Sequence, residues 1–142
     1  MPQEESKYSG CLYYSANALG RVMTKLAEEA FAPTGLAPSY AILLVSVNEK
    51  PGIQPKEISE DMQLTPSTVT RLVEKLEMKG FVERKSVGRN TEIYPTAKSK
   101  KLDKKIRTAW TTMYGQYVAT LGEKKAQILT SNVYEASKKL GA

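Results

Sequence analysis

Histidine is absent from this 142-residue chain, and Cys11 is its single cysteine. One cysteine excludes a disulfide within the chain and a zinc site built from cysteines, and the lack of histidine removes the commonest metal ligand and general base. The remaining Asp, Glu, Lys, Tyr, Ser and Thr residues form no recognised catalytic spacing. The sequence therefore predicts that the chain is not an enzyme, holds no metal and needs no cofactor.

A long apolar run is also absent. The longest runs from Tyr40 to Val45, far short of the roughly 20 residues in a membrane-spanning helix. The first residues, MPQEESK, are polar and acidic. We therefore expect a cytoplasmic protein with no membrane partner. An apolar content of 41% and a charged content of 25% are ordinary for one globular domain with a buried core.

The net charge is +6, and most of it lies in the middle of the chain. Residues 53–107 carry 13 Lys and Arg against 8 Asp and Glu, a net of +5, which leaves 8 against 7, or +1, for the rest. Residues 79–107 alone carry 10 basic and 3 acidic residues. Such a local excess is expected where a surface meets a polyanion, although lysine-rich helix faces are often only solvated.

Apolar spacing and turn residues predict helices at both ends of the chain and a compact mixed unit between them. Gln54 and Glu57 form a weak capping box. Thr65 and Pro66 open the next helix, and Gly80 ends it. The predicted elements are helices over 10–31, about 38–48 and 53–62, a helix from 66 to the stop at Gly80, a hairpin of FVERKS and TEIYP turning at 87–90, and helices from Thr96 to about 121 and over 123–140.

The helix that starts at Pro66 has two contrasting faces. Its apolar residues recur at i, i+3, i+4 and i+7, which predicts a buried stripe of Val69, Leu72, Val73 and Leu76. At 100° per residue the opposite face is polar and carries Ser67, Thr70, Arg71, Glu74 and Lys75. A short helix, a tight turn, a capped second helix and a hairpin form a winged helix-turn-helix, whose second helix enters the major groove of DNA. The polar face is therefore the candidate DNA-contacting surface.

The sequence resembles the MarR family of bacterial transcription regulators in GLAPSYAILLVSV, in PKEISEDMQLTPSTVTRLVEKLEMKGFVERK and in the order of its elements. The most specific part is STVTRLVEKLEMKGFVER. The resemblance implies a mainly α fold with a small β-hairpin, in which a winged helix-turn-helix is flanked by long N- and C-terminal dimerisation helices. It implies a single domain, 1–142, with dimerisation helices at 8–32 and 108–142 and a winged helix-turn-helix at 37–107 that includes the start of the long fifth helix.

The chemistry of this unit fits contacts with double-stranded DNA. Lys and Arg neutralise phosphates, Arg suits bidentate contact with guanine, and Ser and Thr reach phosphates or base edges. Arg71 is the predicted base reader, whereas Glu74 on the same face must accept from a cytosine amino group or turn away. Hairpin arginines would reach the adjacent minor groove. The predicted DNA-binding residues are Ser67, Thr68, Thr70, Arg71, Lys75, Arg84, Lys85 and Arg89.

The hairpin departs from the family pattern. Members usually carry an Asp two residues before an Arg, followed by Leu-Thr-x-x-Gly, and the matching positions here are Val87, Arg89, Pro95, Thr96 and Ser99. Without that Asp the usual brace for the wing arginine is absent, and Glu92 is the candidate substitute.

One helix-turn-helix reads only a half-site, so the terminal helices are the natural material for a dimer. The resemblance implies that these helices interleave between two subunits, and hence a homodimer on a pseudo-palindromic operator. The alternative is that the apolar residues of the last helix pack only within the chain; they are Ile128, Leu129, Val133, Ala136 and Leu140.

The resemblance also implies release from DNA, either by a small aromatic ligand bound between the dimer helices and the winged unit or by oxidation of a cysteine. Cys11 is the candidate redox sensor, since it lies near a helix N-terminus, where the dipole favours an anion; the alternative is an inert thiol. The candidate ligand-binding residues, for which a core role is the alternative, are Tyr13, Tyr14, Asn17, Arg21, Tyr40, Trp110 and Tyr114.

These features together predict a homodimeric repressor that binds double-stranded DNA sequence-specifically. The alternative is a winged helix that docks proteins without specific DNA binding. That function would need an apolar exposed face in place of the Ser, Thr and Arg side chains.

Overall fold

The computed structural model describes residues 5–141, so positions 1–4 and 142 of the predicted domain lie outside the described part. The fold is mainly helical with one two-stranded antiparallel hairpin, which confirms the predicted class. The elements are α1 (Leu12–Phe31), a 3-10 turn (Ala32–Thr34), α2 (Pro38–Glu49), α3 (Pro55–Met62), α4 (Pro66–Met78), β1 (Val82–Val87), β2 (Asn90–Pro95), α5 (Ala97–Leu121) and α6 (Glu123–Leu140).

The start of α3 differs from the prediction by two residues. Gln54 is the N-cap, and its backbone N–H donates to the Glu57 carboxylate at 3.0 Å, so Pro55 takes the first helical position. Ile53, predicted to begin this helix, forms an isolated antiparallel bridge with Ile93 of β2 instead. The hairpin is thereby tied to the loop that precedes α3.

Both predicted ends of α4 are confirmed. The Thr65 hydroxyl accepts from the backbone N–H of Thr68 at 3.3 Å, which satisfies one of the free donors at the helix start. Gly80 has φ +81°, the left-handed conformation that glycine adopts without steric cost just after a helix. Local signals therefore fix where α4 begins and where it ends.

The core centres on α2, which is apolar on nearly all sides. Leu43, Leu44 and Val47 of α2 have no exposed surface. They belong to one cluster with buried residues from α3, α4, the hairpin and α5, among them Ile58, Val69, Leu76, Val82, Ile93 and Ile106. Each such side chain stabilises the fold by about 1.5–3 kcal/mol relative to an exposed one. The winged helix-turn-helix is thus packed around α2.

The hairpin turns tightly and packs its base onto this core. Val87 pairs with Asn90, which leaves Gly88 and Arg89 as the two-residue turn. Gly88 has φ +61°, as expected for a glycine at the first central position of a hairpin turn. At the other end, the N–H of Gly52 donates to the carbonyl of Ile93 at 2.8 Å. The turn therefore projects while the base is held.

A polar junction joins the end of α2 to the start of α5. The Ser99 hydroxyl, fully buried, donates to the side-chain oxygen of Asn48 at 3.0 Å. The amide nitrogen of Asn48 in turn donates to the Asp103 carboxylate at 3.1 Å. Because buried polar groups are costly unless bonded, this junction fixes the angle at which α5 leaves the winged unit.

The terminal helices are much less buried than the middle of the chain. Cys11 is extended, so α1 begins at Leu12 and not at the predicted Gly10. In α6, Ala126 is the single buried residue, and Val133 keeps 50% of its surface exposed. Within residues 5–141 no single helix is long and apolar enough to cross a membrane; α1 with the 3-10 turn and α2 meet that requirement only together, as a pair bent by 62°.

Candidate nucleic-acid interface

The exposed face of α4 carries the side chains that the sequence predicts to meet DNA. Ser67, Thr70, Arg71 and Lys75 are exposed, and Thr68 is half-buried. Burial of Val69, Val73 and Leu76 on the other side fixes this orientation. The periodicity of the sequence therefore separated the two faces, but Leu72, predicted to be buried with them, is only half-buried at the edge of the core.

Hydroxyl groups form a small network at the start of α4. The Thr65 oxygen lies 2.9 Å from the Thr68 oxygen and 3.2 Å from the Ser67 oxygen. The guanidinium of Arg71 reaches the Thr68 oxygen at 3.5 Å. Thr70 donates to the carbonyl of Pro66 at 3.0 Å. Thr68 thus serves the helix cap and orients Arg71. Ser67 is exposed although its hydroxyl bonds to Thr65, and the other Arg71 donors have no partner among the described residues.

Lys75 lies beside α2 as well as on the α4 surface. Its ammonium is 5.8 Å from the centre of the Tyr40 ring, and that of Lys79 is 5.9 Å from the same ring. Both distances allow a cation–π attraction. Tyr40, predicted as a ligand-binding residue, therefore lies next to the cationic end of α4.

Arg84 is held by α4 and does not project from the hairpin. Its guanidinium donates to both carboxylate oxygens of Glu77, at 2.8 Å and 3.2 Å. This hydrogen-bonded pair lowers the pKa of Glu77 below its usual value. Arg84 was predicted as a DNA contact, and the structure gives it a partner that the sequence reasoning missed. The sequence does contain a signal for this pair: Glu77 is an acid in the last turn of α4, and Arg84 is a base on the strand that folds back after Gly80.

A second link between α4 and the following elements was also missed. Lys98, in the first turn of α5, donates to the carbonyl of Lys79 at 2.8 Å and lies 4.5 Å from the centre of the Phe81 ring. A cation at a helix C-terminus satisfies a free carbonyl and complements the helix dipole. The end of α4 is therefore fastened to both the hairpin and α5.

The outer residues of the hairpin differ in whether neighbouring side chains contact them. Lys85 lies 4.7 Å from the centre of the Tyr94 ring. The Tyr94 hydroxyl donates to Glu92 at 2.7 Å, which raises the pKa of Tyr94. Arg89, at the turn, has no ion pair within residues 5–141. Glu92, predicted as a substitute brace for Arg89, is engaged with Tyr94 instead.

The candidate effector residues do not form one cavity in the single chain. Tyr13 and Tyr14 cluster with Tyr8 near the start of α1. The ring centre of Tyr14 lies 5.2 Å from that of Tyr13 and 4.8 Å from that of Tyr8. Asn17 and Arg21 line a shallow groove on α1, and Tyr114 packs edge-on against Tyr117. Trp110 lines a separate cleft between α2, α3 and α5. Cys11 is exposed at the N-cap of α1.

The comparisons with known proteins point to one family. Residues 38–87 match the model of the MarR family. An uncharacterized HTH-type transcriptional regulator, YybA of Bacillus subtilis (strain 168), is 29% identical over 87 residues, which are 59% of this chain and 58% of the relative. The match thus spans little more than half the length of that relative.

Solved structures share the whole fold at lower identity. CouR from Rhodococcus jostii RHA1, bound to p-coumaroyl-CoA, is 22% identical with a TM-score of 0.78, over 94% of this chain and 96% of that one. The transcriptional repressor CouR bound to a 23-mer DNA duplex is 18% identical with a TM-score of 0.81, over 96% and 99%. At such identities the likeness is one of fold.

Proposed function

The chain belongs to the MarR family, and on that premise we propose that it is a DNA-binding transcriptional regulator that acts as a homodimeric repressor. The observation that carries the proposal is the exposed face of α4, where Ser67 and Arg71 project from a helix whose opposite side is buried. This face is polar and basic, so it suits DNA better than it suits an apolar protein partner.

The contacts divide by chemistry. Arg71 reads a base edge in the major groove, with Thr68 orienting its guanidinium. Ser67, Lys75 and Lys85 bind phosphates, which supplies affinity without sequence preference. Arg89 enters the adjacent minor groove from the hairpin turn. Arg84 is a positioning residue, because its pair with Glu77 sets the angle between the hairpin and α4.

The dimer is supported by the apolar surface that one chain leaves in solvent. Leu12 and Tyr13 of α1 are 65% and 69% exposed, and Val133 and Leu140 of α6 are 50% and 76% exposed. Packing of α6 within the chain does not cover these residues. A second copy that covers them also supplies the second recognition helix that a pseudo-palindromic operator requires.

Our proposal that the chain represses transcription, and that a signal releases it from DNA, is based on the related CouR structures. CouR is called a transcriptional repressor and has been solved both on a DNA duplex and with p-coumaroyl-CoA. We extend repression to this chain, with release by a small ligand or by oxidation of the exposed Cys11. Binding assays with an organic hydroperoxide, on the wild type and on Cys11→Ser, distinguish the two routes.

The test is binding of the purified protein to labelled fragments from upstream of its own gene, followed by footprinting. Arg71→Ala should cost about 1–3 kcal/mol and relax preference at one base position in each half-site. Lys85→Ala should weaken all sequences alike and reduce the salt slope by about 1. Lys124→Ala, on the exposed first turn of α6, is the matched control and should change neither quantity.

Two results would contradict the proposal. Operator preference that survives Arg71→Ala would remove the base-reading role of Arg71. Failure of the wild type to bind any upstream or genomic fragment would favour the alternative, a winged helix that docks proteins.

A further inference from the structure

A cleft of about 410 Å³ lies where α2, α3 and α5 meet, away from the DNA-facing side of α4. Ile42 and Val45 of α2 and Met62 of α3 give it an apolar floor. Trp110 of α5 forms part of the wall and is 41% exposed. The volume is within the range of pockets that hold small molecules, and the mixture of apolar floor and polar rim is typical of them.

The rim of the cleft is acidic, in a chain that is basic overall. Glu49 and Asp61 line it together with one cation, Arg107. Arg107 is already neutralised, since it donates to Asp103 at 2.8 Å and to Glu49 at 3.2 Å. The charged lining residues are thus two carboxylates and one guanidinium, a net of −1. Asp103 does not line the cleft, but its bond to Arg107 offsets the charge of that cation further.

Asp61 differs from Glu49 and Asp103 because it forms no ion pair with a basic side chain of the described residues. Within residues 5–141 the ion pairs of the chain involve Glu57, Glu77, Glu49 and Asp103, and not Asp61. A ligand in the cleft therefore meets a negative local field.

Trp110 adds a second feature that selects for a cation. Trp110 lines the cleft and keeps 41% of its surface exposed, so part of its indole is free for contact with a ligand. The face of a tryptophan ring attracts cations more strongly than that of any other side chain. A large aromatic surface left open inside a cleft also gains from contact with an apolar body.

We propose that this cleft binds a small organic cation, an ammonium compound with an aromatic or apolar body, whose charge lies against Asp61 and Glu49 and whose body packs on Trp110. An anionic aromatic compound would meet two carboxylates and an arginine that is already paired. The chemistry of the cleft thus selects the ligand by the sign of its charge.

Such a ligand would act on the proposed regulator through α3. Asp61 and Met62 belong to the first helix of the helix-turn-helix, whereas Arg107 and Trp110 belong to the long α5. A cation held between them favours one spacing of α3 and α5, and with it one orientation of α4. The shift between the DNA-binding orientation and another is limited by the difference in the ligand's affinity for the two. This consequence rests on the proposed function, but the binding itself does not.

Trp110 is the chain's single tryptophan, so its fluorescence reports on the cleft directly. We would titrate the protein without DNA with phenethylamine, 2-phenylethanol and 3-phenylpropionate, which share a phenylethyl body and carry a positive, zero and negative charge. Phenethylamine should give a saturable change at the lowest concentration and 3-phenylpropionate at the highest. Added salt should weaken the binding of phenethylamine and not that of 2-phenylethanol.

Asp61→Asn should weaken phenethylamine binding by about fivefold, the scale of one partly exposed ion pair. Glu60→Gln removes the neighbouring charge, which does not line the cleft, and should leave binding unchanged. Thermal unfolding of each variant with and without phenethylamine gives a second measure that does not depend on fluorescence.

The assignment is overturned if 3-phenylpropionate binds as tightly as phenethylamine, or if Asp61→Asn and Glu60→Gln behave alike. An operator-binding assay with saturating phenethylamine then tests the coupling separately. A change in operator affinity that Asp61→Asn abolishes supports the coupling, and fluorescence binding without any such change leaves the cation site standing and refutes its regulatory role.

Discussion

Leu44 in α2 and Val133 in α6 are both apolar residues of helices, yet Leu44 has no exposed surface and Val133 keeps half of its own. The same contrast holds for the regions around them. The winged unit buries most of its apolar side chains within the chain, with Met78 and Val87 as exposed exceptions, whereas α1 and α6 leave apolar side chains such as Tyr13 and Leu140 in solvent. The winged unit is therefore stabilised by its own contacts, and the terminal helices need a second surface to cover them.

The largest expected effect is in the core of the winged unit. Leu44→Ala should lower the free energy of unfolding by about 2–5 kcal/mol, because it removes a fully buried side chain and leaves a cavity. Met78→Ala, at a position that is 86% exposed, should change it by less than about 0.5 kcal/mol. Urea unfolding at one fixed protein concentration measures both. Equal losses would mean that the core does not centre on α2.

A second variant tests the terminal helices. Val133→Asp should weaken self-association by about 100-fold or more, because each of two subunits loses one buried apolar contact worth about 1.5–3 kcal/mol. Sedimentation equilibrium gives the dissociation constant, and circular dichroism checks that the helices persist. Ser131→Asp places the same charge on the opposite side of α6 and should leave association intact. If neither variant dissociates the protein, α6 is not part of a dimer interface.

The two regions also differ in what the sequence alone could predict. The ends of α4 follow from Thr65, Pro66 and Gly80, whose effects on the backbone are local. The fold class and three of the four residues in the predicted buried stripe of α4 were predictable in the same way, since periodicity reports on burial directly. The exposed apolar residues of α6 look the same in a sequence whether they are covered by the chain or by a partner.

Contacts between distant residues were the part that the sequence did not predict. The bridge between Ile53 and Ile93 depends on where the hairpin base lands, and it shortened the predicted α3. Ser99, which stands where the family usually has glycine, is buried and bonded to Asn48, a partner 51 positions away. The candidate effector residues rest on resemblance, and the single chain distributes them over separate sites.

A smaller effect is expected where α4 meets the hairpin. The pKa of Glu77 is lowered by its hydrogen bonds with Arg84. A lowered carboxyl pKa stabilises the folded state above the unfolded value, near 4.5, and that stabilisation is lost as the pH falls through the folded value. Glu77→Gln should therefore reduce stability at neutral pH by less than about 1 kcal/mol, because both side chains are partly exposed and screened.

The pH dependence identifies the cause of that loss. The difference between wild type and Glu77→Gln should shrink as the pH falls below about 4.5, and it should also shrink in high salt. Glu83→Gln, beside Arg84 but on the other side of the strand, controls for loss of charge. A difference that persisted unchanged at low pH would show that packing of the Glu77 side chain, and not its ion pair, is responsible.

The smallest effect concerns the exposed turn of the hairpin, which has apolar Val87 where the family usually has Asp. Arg89 has no ion pair among the described residues, and Glu92 is bonded to Tyr94. Val87→Asp should supply a carboxylate beside Arg89 and tighten operator binding by about twofold to fivefold, the scale of an exposed ion pair. Ser86→Asp adds the same charge on the other face of the strand and should weaken binding through repulsion of phosphate. If both variants weaken binding equally, the lack of a carboxylate beside Arg89 does not limit its contact with DNA. The affinity must then come from α4 and from the dimer that the terminal helices form.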